Sequence, residues 1–253
     1  MSRIGEAFAG KKALVAYVTA GDPDLARSRE VVLACARSGA DVIELGVPFS
    51  DPNADGPAIQ AAMHRALTAK TTLRGVLELC SEVRRESAVP IVLFGYYNPI
   101  FVHGCERFAA DAKAAGADGV LVVDLPPEEA GELTGPLRAQ GLDYVPLVAP
   151  TSTDPRIDLA ARVASGFIYY VSMTGVTGAA LSDMDDVKTR VSSLRKRVSL
   201  PVAVGFGVTT PEDARRIAGF ADGVVVGSAI VRAAQKGGAD AAGKLVRELK
   251  AAL

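Results

Sequence analysis

Apolar residues gather into eight short segments rich in β-branched side chains, and helical patterns separate these segments. The predicted strands are Ala13–Thr19, Val42–Val47, Ile91–Tyr96, Gly119–Leu125, Tyr144–Ala149, Phe167–Ser172, Val202–Gly207 and Gly223–Gly227. The helical patterns include Leu25–Arg37, Leu73–Arg85, Glu106–Ala115, Glu128–Gln140, Asp185–Val198 and Pro211–Gly219. Wholly apolar strands separated by helices imply a parallel sheet covered on both faces, and eight right-handed repeats close into a barrel. We therefore predict an α/β fold, a single (β/α)8 barrel of the TIM type over residues 1–253, with extra N-terminal and loop helices.

A short motif recurs where a helix is followed by a strand. Gly39-Ala40-Asp41 precedes the second strand, Gly116-Ala117-Asp118 the fourth, and Ala221-Asp222-Gly223 the eighth. A doubly wound open sheet is the alternative architecture. It would place a Gly-x-Gly-x-x-Gly turn after the first strand, and Val18-Thr19-Ala20-Gly21-Asp22-Pro23 has none.

Composition limits the class of partner. The chain has 253 residues, of which 49% are hydrophobic and 23% are charged, so it can bury a substantial core. Its 28 basic and 29 acidic side chains nearly cancel, and no basic run is interleaved with aromatic residues. We therefore expect neither nucleic acid nor a membrane surface as a partner.

The cysteines and the N-terminus indicate the compartment. Cys35, Cys80 and Cys105 are odd in number and widely spaced, which argues against a disulfide framework or a zinc site. The first residues carry charges and no apolar signal core. We expect buried, reduced thiols, no metal and a cytoplasmic protein.

One carboxylate lies inside an apolar strand. Glu44 shares a strand face with Val42 and Gly46, because side chains two positions apart point the same way. A charge there is costly unless something uses it, and burial raises a glutamate's pKa toward the range where it both gives and takes protons. A buried, hydrogen-bonded structural glutamate is the alternative.

A second carboxylate, Asp55, follows on the next loop, so both would belong to the face of a barrel that carries catalytic groups. Asp55 also precedes Gly56-Pro57 and a helical pattern, which is typical of an ordinary N-cap, and the two alternatives stay open. Asp51, before Pro52, is most simply a turn residue.

Glycines near the end of the chain indicate an anion site. Gly205-Phe206-Gly207 ends the seventh strand, and Gly227-Ser228 ends the eighth and leads into a helix. Bare amides and a helix N-terminus bind phosphate at this place in barrels. Arg232 is the only basic residue in these segments, so we expect backbone donors and dipoles to hold the anion. Glycines that merely fit tight strand ends are the alternative.

The segment after the sixth strand, from Ser172 to Ala180, is small and flexible in character and suits a lid. We expect residues 174–185 to be mobile without ligand and ordered with it, although an ordinary surface loop would look much the same. Aromatic residues at strand ends could wall an apolar pocket or simply pack the core; they are Tyr17, Phe94, Tyr96, Tyr169 and Phe206. His64, on a helix, and His103, on a loop, form no triad or metal pattern.

The run Glu44-Leu45-Gly46-Val47-Pro48-Phe49-Ser50-Asp51-Pro52, followed by Ala54-Asp55-Gly56-Pro57, resembles the α subunit of tryptophan synthase. Supporting motifs from Tyr17 to Ser228 extend the resemblance over essentially the full chain. It implies a lyase of L-tryptophan biosynthesis that cleaves indole-3-glycerol phosphate to indole and glyceraldehyde 3-phosphate. It also implies an α2β2 complex whose β subunit carries pyridoxal phosphate, with no cofactor in this chain.

The resemblance assigns roles by position. Glu44 matches the general acid/base and Asp55 the second essential carboxylate. The phosphate-binding positions match Gly178, Gly207, Gly227 and Ser228, and the surroundings of indole and glycerol match Tyr17, Phe94, Tyr96, Leu121, Tyr169 and Phe206. The loops that face the β subunit match Asp51, Asn53, Asn98, Pro99, Asp124 and Pro126.

Two positions depart from the family's pattern. Asn53 stands where an apolar residue such as leucine is usual, and Ala180 and its neighbours lack an arginine that many members carry. Both concern loops, so we expect them to affect loop closure and communication with the β subunit more than the chemistry.

Three alternatives to this function remain. Another phosphate-binding barrel enzyme, such as a sugar-phosphate epimerase or isomerase, would share the glycine sites but use other acid/base residues, often with a metal. A lyase acting without a β partner would have the same active site. A non-catalytic subunit that only binds the β subunit is disfavoured because both Glu44 and Asp55 are present.

Overall fold

The computed structural model describes residues 2–171, 184–205 and 207–253. Its strands within these ranges are β1 (Ala13–Thr19), β2 (Val42–Gly46), β3 (Ile91–Gly95), β4 (Gly119–Val122), β5 (Asp143–Tyr144), β6 (Leu147–Val148), β7 (Ile168–Val171), β8 (Val202–Gly205) and β9 (Gly223–Val226). Its helices there are α1 (Arg3–Ala7), α2 (Leu25–Arg37), α3 (Pro57–Thr68), α4 (Leu73–Glu86), α5 (Tyr97–His103), α6 (Cys105–Ala114), α7 (Gly131–Ala139), α8 (Asp154–Val163), α9 (Met184–Arg197), α10 (Pro211–Ala218) and α11 (Ser228–Lys250).

All of these strands are parallel and belong to one sheet, in the order β5-β4-β3-β2-β1-β9-β8-β7-β6. The two ends of that order, β5 and β6, are separated along the chain only by Val145 and Pro146. Val145 N–H donates to Val120 C=O at 2.9 Å on one side, and Pro146 C=O accepts from Tyr169 N–H at 3.1 Å on the other. The two short strands are therefore halves of the fifth barrel strand, and the predicted barrel, rather than the open sheet, is confirmed.

The predicted segments correspond closely to the observed ones, with errors at the carboxyl ends of strands. β1 and α2 have the predicted bounds, whereas β4 ends at Val122 instead of Leu125 and β8 at Gly205 instead of Gly207. Strands end there because the chain leaves the sheet to form the loops of the functional face. α1, α3 and α5 are the extra helices, and His103 ends α5 rather than lying on a loop.

The core has two shells. The larger shell lies between the sheet and the helices. A smaller cluster, which includes Val15, Val42, Leu121 and Val225, fills the barrel. Helix α1 closes the amino-terminal end of the barrel, where the rings of Phe8 and Phe167 lie 5.1 Å apart between centroids. The opposite end stays open to the loops that follow the strands.

The recurring Ala-Asp motif has a structural role. The carboxylates of Asp41, Asp118 and Asp222 accept from the backbone N–H groups of Leu14, Ile91 and Val202 at 2.8, 2.9 and 3.0 Å. In each case the aspartate N–H donates back to the carbonyl of the same strand residue. We call this reciprocal pair the aspartate clasp. It joins the start of one strand to the residue before the next, and so fixes strand register at the amino-terminal end.

Cys35, Cys80 and Cys105 are buried and unpaired, as predicted. Among the helices that the structure describes, none combines the length and apolarity needed to cross a membrane.

Candidate active site

A cavity of about 350 Å³ opens at the carboxyl ends of the strands. Both predicted carboxylates, Glu44 and Asp55, border it. Six of the residues predicted to bind substrate also line it, namely Tyr17, Phe94, Tyr169, Gly207, Gly227 and Ser228. The volume is in the range of small-molecule sites.

Glu44 stands at the centre of β2, paired in register with Tyr17 of β1 and Val92 of β3. Its side chain is 1% exposed, and its Oε1 has no hydrogen-bond partner among the described residues. Burial raises its pKa to about 8. A structural glutamate would have its oxygens paired, so the geometry favours a group kept protonated for use.

Asp55 lies on the loop between β2 and α3, and its side chain does not cap the helix. The N-cap of α3 is Gly56, which has no side-chain cap bond, so the N-cap alternative for Asp55 is wrong. Instead, Asp55 Oδ2 accepts a hydrogen bond of 2.7 Å from the Tyr96 hydroxyl. Burial raises the pKa of Asp55 to about 6, and the Tyr96 hydrogen bond opposes that rise.

Aromatic side chains enclose the two carboxylates. The rings of Tyr17 and Phe94 meet edge to face with centroids 5.2 Å apart. Burial raises the pKa of Tyr17 and of Tyr169 well above the usual value, and the negative charges of Asp55 and Glu44 raise both further. Both tyrosines therefore stay protonated, and their hydroxyls lie within electrostatic reach of the acids.

The glycine end of the cavity is formed by Gly207 after β8 and by the N-terminus of α11. Gly207 has φ of 82°, a conformation that favours glycine, so the backbone conformation explains why this residue is glycine. Gly227 has φ of −114°, and a methyl group on it would make only ordinary contacts, the nearest at 3.4 Å. Neither the backbone nor the packing requires glycine at position 227, which favours a bare amide left accessible to an anion.

Two helix N-termini at the cavity lack side-chain caps. These are α3 at Gly56 and α11 at Gly227, whereas nearby α10 has a capping box between Thr210 and Asp213. Uncapped amides at a helix start are free to bind an anion. Gly227 and Ser228 therefore offer donors that no other described side chain occupies.

Some cavity residues were not predicted. Arg232, the fifth residue of α11, lines the cavity and is in no ion pair among the described residues, so a cation supplements the expected backbone donors. The other unpredicted lining residues are Gly56, Pro57, Ala58, Ile59, Val208, Thr209 and Val225. Two sequence signals could have predicted some of them. Val225 lies two residues before Gly227 on the same strand face, and Arg232 lies four residues after Ser228 on the same helix face.

Four predicted substrate residues are not among the described residues of the cavity wall. Leu121 is fully buried in the barrel interior, and Tyr96 lies against Asp55 rather than on the cavity surface. Gly178 and Phe206 lie outside the described residues, as do most of the predicted lid over 174–185 and the departure at Ala180.

The residues predicted to face a partner lie on three consecutive loops at the functional end. Asp51 and Asn53 follow β2, Asn98 and Pro99 belong to α5 after β3, and Asp124 and Pro126 follow β4. Asp51, Asn53, Asn98 and Asp124 are exposed, while Pro99 and Pro126 are half-buried. As expected for a turn, the Asp51 carbonyl accepts from Asn53 N–H at 2.8 Å. Exposed apolar side chains Phe101 and Val102 continue this surface along α5.

No group of three or more potential ligands that could hold a metal ion occurs in the described parts of the chain. His64 is exposed on α3, and His103 is within 2.7 Å of Asp111 at the surface. Neither histidine borders the cavity.

Comparison with known proteins gives a consistent result. The family model described as "Tryptophan synthase alpha chain" matches residues 6–252. A tryptophan synthase alpha chain of Geobacter sp. (strain M21) is 57% identical over 241 residues, which are 93% of this chain and 90% of that protein. One from Burkholderia multivorans is 49% identical and covers 100% of this chain and 97% of its own.

Solved structures agree. The crystal structure of tryptophan synthase subunit alpha from Legionella pneumophila str. Paris aligns with a TM-score of 0.92 at 37% identity, over 100% of this chain and 98% of that one. A chain of M. tuberculosis tryptophan synthase, in its aminoacrylate-bound form, aligns with a TM-score of 0.91 at 34% identity, over 100% and 99%. This chain is a barrel with two buried carboxylates and a glycine-lined helix N-terminus, and the family model matches almost its full length. It belongs to the tryptophan synthase alpha chain family of lyases.

Proposed function

We propose that this chain cleaves indole-3-glycerol phosphate to indole and D-glyceraldehyde 3-phosphate, a retro-aldol step of L-tryptophan biosynthesis. The observation that carries the proposal is the pairing of two buried carboxylates, Glu44 and Asp55, in one cavity whose other end offers uncapped helix amides. The carboxylates suit proton transfer at an apolar ring, and the amides suit a phosphate.

The chemistry assigns a role to each carboxylate. The carbon–carbon bond to the indole ring breaks readily only after the ring carbon is protonated, and Glu44, with a pKa of about 8, is protonated at neutral pH. Glu44 gives its proton to that carbon. As carboxylate, it then takes the proton of the adjacent glycerol hydroxyl, the bond's electron pair returns to the ring, and the aldehyde forms.

Asp55 stabilises the positive charge that this step creates. Protonation makes the indole ring cationic, and an ionised carboxylate near the ring N–H stabilises that cation. The pKa of Asp55 is about 6, so it is ionised at the pH where Glu44 is still protonated. Separate pKa values in one cavity are typical of two carboxylates with different tasks.

The phosphate end is proposed to consist of Gly207, Gly227, Ser228 and Arg232, which line the cavity together. Gly178, outside the described residues, is proposed as a further contact. Tyr17, Phe94 and Tyr169 would surround the indole, with Phe206 and Leu121 in support. No organic cofactor or metal has a role in these steps.

The test is indole release from indole-3-glycerol phosphate by the purified chain, with and without a tryptophan synthase β subunit. We expect Glu44→Gln and Asp55→Asn each to lower turnover by at least about 10²-fold, the scale of a general acid/base group. Both substitutions keep side-chain shape, so binding of glycerol phosphate should be nearly unchanged.

Asp143→Asn is the matched control, since Asp143 is also buried but bonds Ser2 at the amino-terminal end of the barrel. We expect it to keep its turnover. Near-normal turnover in folded Glu44→Gln would overturn the mechanism. A sugar-phosphate isomerase or epimerase would instead leave indole-3-glycerol phosphate unchanged and convert a sugar phosphate.

The partner is proposed to be a tryptophan synthase β subunit, in an α2β2 complex in which that subunit holds pyridoxal phosphate. The proposed contact surface consists of Asp51, Asn53, Asn98, Pro99, Asp124 and Pro126, on three neighbouring loops. Full activity without any β subunit would favour the lyase that acts alone, and indole release by the isolated chain would exclude a purely non-catalytic subunit. A cytoplasmic location stays a prediction.

A further inference from the structure

Tyr96 occupies an unusual place between the functional cavity and the surface. It follows β3 directly, is 4% exposed and is the N-cap residue of α5. Its ring stacks on that of Phe49 with centroids 4.8 Å apart and an interplanar angle of 23°. The ring is therefore held from the side of the β2–α3 loop.

The Tyr96 hydroxyl makes two hydrogen bonds to adjacent residues of one loop. It donates to Asp55 Oδ2 at 2.7 Å and accepts from Ala54 N–H at 3.1 Å. One hydroxyl thus binds both the backbone and the carboxylate of the loop. Asp55 is 6% exposed, and without these bonds its carboxylate could turn to another rotamer within the loop.

We propose that Tyr96 is a positioning residue, whose hydroxyl sets the orientation and the ionisation of Asp55 without touching substrate. The inference rests on the proposed function, since it deepens the role of Asp55 in that reaction. It departs from the expectation that Tyr96 surrounds the substrate, because Tyr96 is absent from the described cavity wall.

The other charged and titratable groups that line the same cavity do not replace this hydrogen bond. Glu44 on β2 is protonated and uncharged at neutral pH, and Tyr17 on β1 and Tyr169 on β7 also remain protonated. Gln60 on α3 donates to the Asp55 carbonyl at 2.8 Å and does not bind the carboxylate. Arg232 on α11 borders the same cavity. Within the described residues, the side-chain hydrogen bond that lowers the pKa of Asp55 comes from Tyr96.

The experiment compares Tyr96→Phe with the wild type and with Tyr97→Phe. Phenylalanine keeps the stacked ring and removes only the hydroxyl. Tyr97 is the next residue, and its hydroxyl bonds Glu132 outside the cavity, so it is the matched control. We expect Tyr96→Phe to lower kcat about tenfold near neutral pH. The apparent pKa of the acid limb of the kcat/KM profile should increase by about one pH unit, the scale of a lost hydrogen bond to a charged group.

The substrate phosphate also titrates near the pKa of Asp55, with a second pKa of about 6 in a monoester. The phosphate titrates identically with the wild type and both variants. A shift in the apparent pKa of the acid limb therefore reports the titration of Asp55. A folded Tyr96→Phe with the wild-type limb and the wild-type kcat would overturn the proposal, as would an equal shift in Tyr97→Phe.

Two measurements separate this proposal from the proposed function. Carboxyl NMR titration of Asp55 in Tyr96→Phe requires no substrate, and an unchanged pKa would overturn the positioning role even if indole is released. Hydrogen exchange of the Ala54 amide in the wild type requires no variant, because we expect protection of this exposed residue by the Tyr96 hydroxyl. Fast exchange would also overturn the proposal. Absence of indole release would instead refute the function alone.

Discussion

Glu44 and Asp55 show how two like groups in one cavity acquire different chemistry. Glu44 is enclosed by barrel strands, and nothing described offsets the cost of ionising it, so burial alone sets its pKa. Asp55 is on a loop and accepts a hydrogen bond from Tyr96, which stabilises its ionised form. At neutral pH the first is an acid and the second is an anion.

This difference leads to a bell-shaped pH dependence. In the proposed mechanism, activity needs ionised Asp55 and protonated Glu44, so kcat/KM should rise as pH increases through about 6 and fall as it increases through about 8. The expected measurement is the initial rate of indole release from pH 5 to 9.5, with glycerol phosphate binding over the same range as the control for phosphate ionisation. A rate that keeps rising beyond pH 9 would contradict the assigned acid.

Gly227 permits a test of the proposed phosphate site that leaves the backbone unstrained. Because its φ is −114° and the nearest atom to an added methyl group is at 3.4 Å, Gly227→Ala should fold normally. The methyl group should nevertheless block the approach of phosphate to the α11 amides, and we expect binding of glycerol phosphate to weaken at least about tenfold.

Gly135→Ala is the control for Gly227→Ala, since a methyl group at position 135 meets no atom within 4 Å and α7 is remote from the cavity. Calorimetry should give wild-type affinity for this variant. Equal affinities in both variants would place the phosphate elsewhere in the cavity.

At the scale of elements, the two ends of each strand have different tasks. The aspartate clasps at Asp41, Asp118 and Asp222 join strand starts, and each carboxylate also contacts a cation from a helix, namely Lys250, Arg84 or Arg195. The cavity that opens at the carboxyl ends is lined by glycines, aromatic rings and the two acids. Register is therefore secured at one end of the barrel, and the other end is free to carry groups chosen for chemistry.

Asp118→Ala tests the clasp. It removes the partner of Ile91 N–H and of Arg84, whose pair with Asp118 is mostly buried at 17% and 12% side-chain exposure. We expect the free energy of unfolding to fall by about 2–4 kcal/mol, because a buried donor and a guanidinium lose their acceptor.

Glu78→Ala is the control for Asp118→Ala, since its pair with Arg74 is at the surface with 87% and 62% exposure. Its cost should be about 0–0.5 kcal/mol. Urea unfolding followed by circular dichroism measures both. Equal costs for the two variants would mean that the clasp contributes nothing special.

At the scale of the whole molecule, the predicted partner surface and the cavity share one loop. Asp55 borders the cavity, and two residues earlier Asn53 is exposed on the same loop. The Asp124 carboxylate accepts from Tyr97 N–H at 2.7 Å, which ties the loop after β4 to α5. A protein that docks on these loops would therefore contact the loop that carries Asp55, the proposed catalytic carboxylate.

Asn53→Leu tests this connection. The Asn53 side chain makes no hydrogen bond with described residues, and burying it unpaired against a β subunit would cost about 1–3 kcal/mol. We expect the leucine variant to be activated more strongly by a β subunit that lacks a polar partner, with little change in activity alone. Titration with the β subunit while indole forms measures both, and identical affinity and activation would show the position to be neutral.

Much of this architecture was already present in local patterns. Apolar runs and helical spacing predicted β1 and α2 to the residue, and the Ala-Asp repeats marked three strand starts. Glu44 was recognisable because a charge inside a wholly apolar strand has few explanations. Such features lie within a few residues of chain, where sterics and side-chain periodicity act directly.

The tertiary structure decided which residues distant along the chain come into contact. The Tyr96 hydroxyl bonds Asp55 across 41 positions, and Gly56 is the N-cap of α3, so Asp55 is not a helix cap and Tyr96 contacts this carboxylate instead of lining the cavity. Arg232 joined the cavity because α11 begins at its rim, and the fifth strand split at Pro146 where the barrel closes. Local propensity determines which elements form, but sheet register and loop paths determine which side chains come into contact, because these depend on the packing of the entire barrel.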